Sequence, residues 1–182
     1  MANPSRLPGV ALLLLLGGCS LPKTTAPPLP PPASAAPLPA APAGAWAWSS
    51  QIESAGTRLR GSLGGGAEVS QTSDQRLWIA LPGEAAFAAG RSAVTPAAGA
   101  WLDQIAASLR GLPRAEVQIV GPADKRGGQS LAVDRAASAR DWMVMRGVPA
   151  RRMAVSGPDA RGRGLAADGR LHIFVGEKST PP

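Results

Sequence analysis

The sequence predicts an α/β two-layer sandwich, in which a mixed β-sheet carries two main helices packed on one face. Residues 95–110 and 131–146 repeat apolar or small side chains at helical spacing. The strand–helix–strand unit over 116–156 implies two parallel strands joined by a right-handed crossover. The last strand instead follows a loop without a helical pattern. The sheet is therefore expected to be mixed, with both helices on the same face.

A short helix and a hairpin are predicted before this unit. Over residues 46–63, apolar or small residues recur at helical spacing, and the three glycines at 64–66 end the helix. Residues 67–70 and 77–81 then form two short strands around a turn at 72–74. The short helix and the hairpin therefore precede the first main helix.

The two main helices have recognisable ends. Thr95 followed by Pro96 is typical of an N-cap and a first helical residue. Gly111 and Gly147 are expected to end the helices, because glycine is common just past a helix C-terminus. The remaining strands are predicted at 116–119, 153–156 and 171–175.

The N-terminal residues have the composition of an export signal. Arg6 precedes an apolar stretch at 9–16, far shorter than the roughly 20 residues that span a bilayer. Residues 16–19, Leu-Gly-Gly-Cys, resemble the bacterial lipobox, which implies cleavage after residue 18 and attachment of fatty acids such as palmitate to Cys19. Ser20, in place of Asp, favours the outer membrane. We expect anchoring in outer-membrane lipid through acylated Cys19, with the domain in the periplasm.

A Pro/Ala-rich tract at 19–44 follows this signal, without charge after Lys23. Such a composition favours extended polyproline II, a semi-rigid spacer. It is expected to hold the folded domain away from the membrane, and a ligand for a partner's groove is the alternative. The predicted organisation continues with the helix and glycine turn at 45–66, the domain at 67–177 and a tail at 178–182.

Charge and composition narrow the class of partner. The net charge of +7 favours an anionic partner. A nucleic acid conflicts with the export signal, and the lack of Tyr with only two Phe leaves few rings for base stacking. One Cys allows no disulfide within the chain, and one His excludes a His-rich metal site. No nucleophile, base and orienting group can be assigned, so we predict no enzyme, no metal and no cofactor.

Three motifs occur in the order of a known family. They are "LPGEAAFAAGRSAVTPAAGAWLDQIAASL", "VQIVGPADKRG" and "LAVDRAASARDWMVMRGVPARRMAVSG". From about residue 52 to 177, the chain thus resembles the OmpA-like C-terminal domain of peptidoglycan-associated lipoproteins. The resemblance implies a βαβαββ order and recognition of diaminopimelate in the peptidoglycan stem peptide.

The resemblance also implies the ligand-binding residues. Family members use an Asp of the loop after a strand and an Arg of the following helix, which here are Asp124 and Arg135. Gly127 and Arg170 are accessory candidates. Asp accepts hydrogen bonds from an ammonium group and Arg holds a carboxylate bidentately, so the pair suits a zwitterionic amino acid.

The chain departs from the family pattern around this site. The family's loop His and Thr are Pro122 and Ala123 here, its loop Asn is missing, and the polar residue after the family Phe is Ala88. Each lost hydrogen bond to a charged ligand group costs roughly 1.5–3 kcal/mol. Asp124 and Arg135 therefore have two interpretations: a ligand site, or an ion pair that pins the loop to the helix.

Two functions follow from this reasoning. The first is an outer-membrane lipoprotein that tethers the envelope by non-covalent binding of peptidoglycan. The alternative is a structural or adaptor lipoprotein of an envelope or secretion assembly, which kept the fold, lost peptidoglycan binding and binds envelope proteins. Retention of Asp124 and Arg135 favours the first function, and the missing loop donors favour the second.

Other side chains are interpreted mainly as structural. His172 is expected on a strand face. Three tryptophans are expected to pack in the core rather than to bind sugars: Trp78, Trp101 and Trp142. Four arginines form either a solvated surface or a basic surface facing glycan or lipid: Arg151, Arg152, Arg161 and Arg163.

Overall fold

A mixed β-sheet with helices on one face forms the body of the protein in a computed structural model that describes residues 45–124, 128–158 and 168–178. The predicted signal peptide, Cys19 and the Pro/Ala-rich tract lie outside the described residues. The elements run β1 (Trp46–Ala47), α1 (Ser50–Leu63), β2 (Glu68–Gln71), β3 (Leu77–Pro82), α2 (Gly83–Ala86), α3 (Pro96–Arg110), β4 (Glu116–Val120), α4 (Gly128–Val144), β5 (Met153–Ser156) and β6 (Arg170–Lys178).

The sheet has the order β2-β3-β6-β4-β5, and β1 pairs with the end of β6. Strands β4 and β5 are parallel because α4 crosses between them, whereas β6 runs antiparallel to both β3 and β4. The predicted mixed sheet is therefore confirmed. The last strand is inserted at the centre of the sheet, so both edges of β6 are paired, one with β3 and the other with β4.

Alternation along the strands separates the helix-covered face of the sheet from the outer face. On β6, Leu171, Ile173 and Val175 are buried in the main core. They pack with residues of α1, α3 and α4, among them Ile52, Leu59, Leu102, Ile105, Ala136 and Met143. The core members span Ile52 to Val175, so a fragment from Ala45 onward retains the described core intact.

Thr95 fixes the start of the first main helix. Its hydroxyl accepts from the N–H of Ala98 at 3.2 Å and donates to the carbonyl of Ala85 at 2.6 Å. Pro96 occupies the first turn, where its missing N–H leaves no helical bond unmade. The predicted helix start at Thr95 and Pro96 is confirmed, and the cap also ties α3 to α2.

The first helix begins later than the periodicity predicts. Ser49 caps α1 by accepting from the N–H of Ile52 at 3.2 Å, and Trp46 pairs with Lys178 as part of a strand. The prediction of helix from residue 46 is wrong, because edge pairing with β6 satisfies that backbone before the cap. The short helix α2 follows β3 directly, where the sequence shows no helical pattern.

The outer face of the sheet holds a small second cluster. Val120 and Phe174 are buried there and Trp78 packs against them, so Trp78 packs in a hydrophobic cluster as predicted, on the outer face of the sheet rather than under the helices. His172 lies on this face as predicted, and it is fully buried. The indole N–H of Trp78 donates to Nδ1 of His172 at 2.9 Å, and Nε2 lies 2.9 Å from Asp168 Oδ1. The bond from Trp78 requires Nδ1 to be unprotonated, so the ring proton lies on Nε2, toward Asp168.

Within the described ranges, no helix is long and apolar enough to cross a bilayer. The same part of the chain contains no group of three or more His, Cys, Asp and Glu side chains placed to hold a metal ion.

Candidate ligand-binding cleft

Asp124 and Arg135 lie on the two elements that the sequence assigned to the site. Asp124 follows the end of β4 by four residues, and Arg135 lies in the second turn of α4. Arg135 Nη2 lies 2.9 Å from Asp124 Oδ2. The two side chains therefore converge and form an ion pair with each other.

Arg135 is almost completely buried, with 4% of its side chain exposed. Its Nε donates to the carbonyl of Arg91 at 2.9 Å, and Nη1 donates to the carbonyl of Pro122 at 2.9 Å. Nη2 donates to the carbonyl of Ala88 at 3.3 Å as well as to Asp124. The guanidinium also lies over the Phe87 ring, 5.5 Å from its centroid. Arg135 thus joins the 87–91 segment to the loop after β4.

Asp124 is more accessible than its partner, with 26% of its side chain exposed. Besides Arg135, its Oδ2 accepts from the backbone N–H of Gly90 at 3.0 Å. Two donors on one oxygen hold the carboxylate in one orientation; one is on the next helix and the other is 34 residues away in sequence. The carboxylate is therefore a positioned acceptor at the edge of a cleft.

The cleft beside this pair has a volume of about 410 Å³. Its described lining is Gly83, Glu84, Phe87, Ala89, Pro122, Ala123, Asp124, Arg135 and Gly169. Pro122 brings neither a side-chain donor nor a backbone N–H, and Ala123 brings no side-chain donor. The replacements noted in the sequence therefore lie on the wall of the cleft itself.

Close backbone contacts shape this wall. A Cβ on Gly83 would lie 2.0 Å from the carbonyl oxygen of Gly169, so only glycine permits the two segments to touch. A Cβ on Gly121 would lie 1.9 Å from the carbonyl oxygen of Ala132 on α4. The backbone of the loop after β4 therefore lies in direct contact with α4, the helix that carries Arg135.

Of the two accessory candidates, the structure describes Arg170. Arg170 lies on the outer face of the sheet, where Nη1 donates to Glu68 Oε2 at 2.7 Å and Nη2 donates to the carbonyl of Ala80 at 3.3 Å. It is not among the described lining residues, because strand alternation turns residue 170 away from the helices, and its accessory role stays a prediction. Gly127 lies outside the described residues.

Sequence reasoning missed Glu84 and Phe87 as lining residues. The position of Glu84 just after Pro82 and Gly83, at the end of a predicted strand, was the available signal. Phe87 is the Phe of the first family motif, but its contact with Arg135 could not be seen from the sequence.

Of the four arginines predicted to form a surface, the structure describes Arg151 and Arg152, and only Arg151 is a solvated side chain. Arg152 Nη1 donates to the carbonyls of Leu112 and Ala115, and Nη2 donates to the carbonyl of Leu109, so this side chain caps the end of α3. Burial, followed by repulsion from Arg151, lowers the pKa of Arg152. Arg151 is exposed. Arg161 and Arg163 lie outside the described residues.

Comparison with known proteins gives one family match in sequence and several solved structures with a similar fold. Residues 86–166 match the model of the OmpA family. The chain is similar in structure to the periplasmic domain of Helicobacter pylori MotB, with 23% identity and a TM-score of 0.52 over 63% of this chain and 81% of that one. It is also similar to a putative MotB-like protein from Desulfovibrio vulgaris, with 17% identity and a TM-score of 0.55 over 72% of this chain and 95% of that one. No curated protein sequence matches it. The chain therefore contains an OmpA family domain at residues 86–166, which includes both Asp124 and Arg135.

Proposed function

We propose that this domain is a non-catalytic module that binds peptidoglycan through the diamino acid of its stem peptide. The observation that carries the proposal is the convergence of Asp124 and Arg135 on one cleft, at the positions that the family resemblance assigns to the ligand. A cleft of about 410 Å³ accommodates the end of an amino-acid side chain and its neighbouring groups.

The two residues have different roles in this proposal. Arg135 is buried and holds Asp124, the 87–91 segment and the loop after β4 in one arrangement. Asp124 is the more exposed member, and its fixed carboxylate faces the ligand's ammonium group. Binding then needs little reordering of the protein, because the acceptor is already oriented before the ligand arrives.

Co-sedimentation with purified peptidoglycan sacculi tests this function. The fragment from Ala45 onward is expected to pellet with sacculi. The same fragment carrying Asp124→Ala is expected to stay mostly in the supernatant. Asp141→Ala is a matched control, since Asp141 is an exposed carboxylate on α4 that pairs only with its neighbour Arg140 in the described structure. Equal pelleting of wild type and Asp124→Ala, or no pelleting of either, would contradict the proposal.

A second function is favoured by one specific observation. Arg135 directs its donors at three backbone carbonyls and at Asp124, which is what a purely structural ion pair would do. Under this alternative, the domain is an adaptor of an envelope or secretion assembly that keeps the fold and binds envelope proteins. Failure of the wild-type fragment to bind sacculi, together with a normal melting transition, would favour the adaptor.

We also propose that the protein is a lipoprotein of the outer membrane, anchored through Cys19 with its domain in the periplasm. The lipobox resemblance at 16–19 supports this, and the spacer at 19–44 supplies the reach. The wild-type protein is expected to label with a fatty-acid probe and to fractionate with outer membranes. Cys19→Ser is expected to lose the label and to leave that fraction; a labelled Cys19→Ser variant would exclude this anchor.

A further inference from the structure

We propose that a separate cleft, on the outer face of the sheet, binds the phosphate group of an anionic phospholipid. This cleft, called the basic cleft below, has a volume of about 380 Å³. Its described lining is Trp46, Arg76, Glu116, Val117, Gln118, Arg151, Arg152, Met153, Ala154 and Phe174. None of these residues lines the cleft beside Asp124, so the inference goes beyond the proposed function.

The first support is a pair of neighbouring cations in this lining. Arg151 and Arg152 end a 3₁₀ turn at Ala150–Arg152, directly before β5. Burial, followed by repulsion from Arg151, lowers the pKa of Arg152, so the two charges are close enough to oppose each other. In the described structure neither pairs with a carboxylate, and Glu116, the acidic residue of the described lining, pairs instead with Lys178 at 3.2 Å. A bound anion would relieve this repulsion.

Arg151 is the member of the pair that can contact a ligand. Its side chain is exposed, whereas Arg152 donates from Nη1 and Nη2 to carbonyls of the α3 end and the loop after it. The remaining donor of Arg152, Nε, is buried and has no hydrogen-bond partner in the described part of the chain. The lining thus combines an accessible guanidinium with a donor that lacks an acceptor. Phosphate oxygens are strong acceptors for guanidinium groups.

The second support is that the rest of the basic cleft is already ordered. Arg76 Cζ lies 4.8 Å from the centroid of the Phe174 ring and 5.3 Å from that of Trp46. Its Nη1 donates to Gln118 Oε1 at 3.1 Å, and its charge is balanced by Asp74 at 2.6 Å. Trp46 is only half-buried. A tryptophan ring beside cations is typical of the membrane–water interface, where indoles lie at the level of the headgroups.

The third support is where the tether enters the domain. Trp46 lies in β1, and the Pro/Ala-rich tract at 19–44 ends two residues before it. The proposed anchor at Cys19 places the other end of that tract in the membrane. Neither residues 24–44 nor residues 179–182 include a charged side chain, so the sequence flanking β1 and β6 adds no acidic side chain here. A basic surface at the tether end is therefore attracted to an anionic leaflet.

The two clefts lie at opposite ends of β4. Glu116, the first residue of this strand, lines the basic cleft, and Asp124 follows the last. A strand of five residues is about 17 Å long. A domain docked on lipid through the basic cleft would thus hold the cleft beside Asp124 away from the bilayer, where it can reach peptidoglycan.

Vesicle co-sedimentation tests the basic cleft in the fragment from Ala45 onward, which has no acylation site. The fragment is expected to pellet with vesicles that contain phosphatidylglycerol and to stay in the supernatant with vesicles of phosphatidylcholine alone. Arg151→Glu is expected to lower the affinity for phosphatidylglycerol vesicles about tenfold or more, because it reverses the accessible charge. Its melting transition should stay normal, since the Arg151 side chain is exposed.

Arg58→Glu is the matched control. Arg58 is an exposed arginine on α1 that does not line the basic cleft, and the variant changes the net charge by the same amount. It is expected to bind vesicles within about twofold of wild type. An equal loss in Arg58→Glu and Arg151→Glu would mean that net charge alone attracts the fragment, and the basic cleft would not be a lipid site.

Short-chain lipids in solution test the ligand class. The NMR signal of the Trp46 indole N–H is followed in the ¹⁵N-labelled fragment during titration with dihexanoylphosphatidylglycerol, dihexanoylphosphatidylcholine or inorganic phosphate. Dihexanoylphosphatidylglycerol is expected to shift this signal at a concentration about tenfold lower than either of the others. Saturation by inorganic phosphate at the same concentration would overturn the assignment to lipid and leave a site for free phosphate.

Failure of this inference and failure of the proposed function give different results. Asp124→Ala is expected to lose pelleting with sacculi and keep pelleting with vesicles, and Arg151→Glu is expected to do the reverse. If Arg151→Glu loses sacculi and the wild type ignores vesicles, the basic cleft contacts the wall and the inference is wrong. If the wild type binds vesicles but not sacculi, the proposed function is wrong and the inference stands.

Discussion

Replacing Arg135 with alanine is expected to lower the free energy of unfolding by about 3–5 kcal/mol. The side chain is 4% exposed, so its contacts are largely shielded from water in the folded protein. Its removal leaves the carbonyls of Ala88, Arg91 and Pro122 without these donors and removes the charge that balances Asp124. The 87–91 segment, the loop after β4 and α4 would lose the hydrogen bonds that join them, because all of these bonds come from one guanidinium.

Urea unfolding of the fragment from Ala45 onward measures this effect. Arg135→Lys keeps the charge but has a single nitrogen, so it is expected to recover only part of the stability. Arg140→Ala is the control on the same helix: Arg140 is partly exposed and pairs with the adjacent Asp141, so its loss should change stability by about 0.5 kcal/mol or less. A loss below about 1 kcal/mol for Arg135→Ala would show that the carbonyls find other donors.

This stability effect decides which variant can report on ligand binding. A variant that loosens the 87–91 segment and the loop after β4 would lose sacculus binding whether or not Arg135 ever touches the ligand. Asp124→Ala removes the more exposed member of the pair instead; Arg135 keeps its three carbonyl acceptors, and the N–H of Gly90 can be hydrated. Loss of binding in Asp124→Ala with a normal melting transition is therefore the informative result, and loss of binding in Arg135→Ala alone is not.

Local signals in the sequence predicted much of the fold. Thr95 and Pro96 identify the start of α3 because capping and the missing proline N–H are local physics. The mixed sheet followed from one helical crossover and one loop without helical periodicity. The pair Asp124 and Arg135 was implied by the family resemblance rather than by a local signal, and its convergence agrees with a loop after a strand and the next helix meeting at one end of the sheet.

Features that depend on distant contacts left no such signal. Trp46 belongs to a strand because it pairs with Lys178, which lies at the other end of the domain. Alternation puts Trp78 on the opposite face of the strand from Leu77 and Ile79, but which of the two faces the helices cover depends on the rest of the fold. The acceptors of Arg135 are backbone carbonyls up to 47 residues away, and a carbonyl is the same in every residue. Side-chain type therefore could not reveal how many donors of Arg135 the protein itself engages.

Gly121→Ala is expected to lower stability by about 3 kcal/mol or more, or to prevent folding. A Cβ at this position would lie 1.9 Å from the carbonyl oxygen of Ala132 and 2.9 Å from the backbone nitrogen of Ala136. These are backbone atoms of α4, so relief requires the loop after β4 to move away from the helix. Gly61→Ala on α1 is the matched control. A Cβ there meets nothing within 4 Å, and alanine should stabilise the helix by up to about 1 kcal/mol.

The same displacement should reach the binding site. Asp124 lies three residues after Gly121, and Arg135 lies between Ala132 and Ala136 on α4, so separating the loop from the helix lengthens the 2.9 Å contact between the two side chains. A Gly121→Ala protein that folds at low temperature is therefore expected to pellet poorly with sacculi, whereas Gly61→Ala pellets like wild type. Wild-type stability and wild-type pelleting in Gly121→Ala would mean that close contact between loop and helix does not hold this site together.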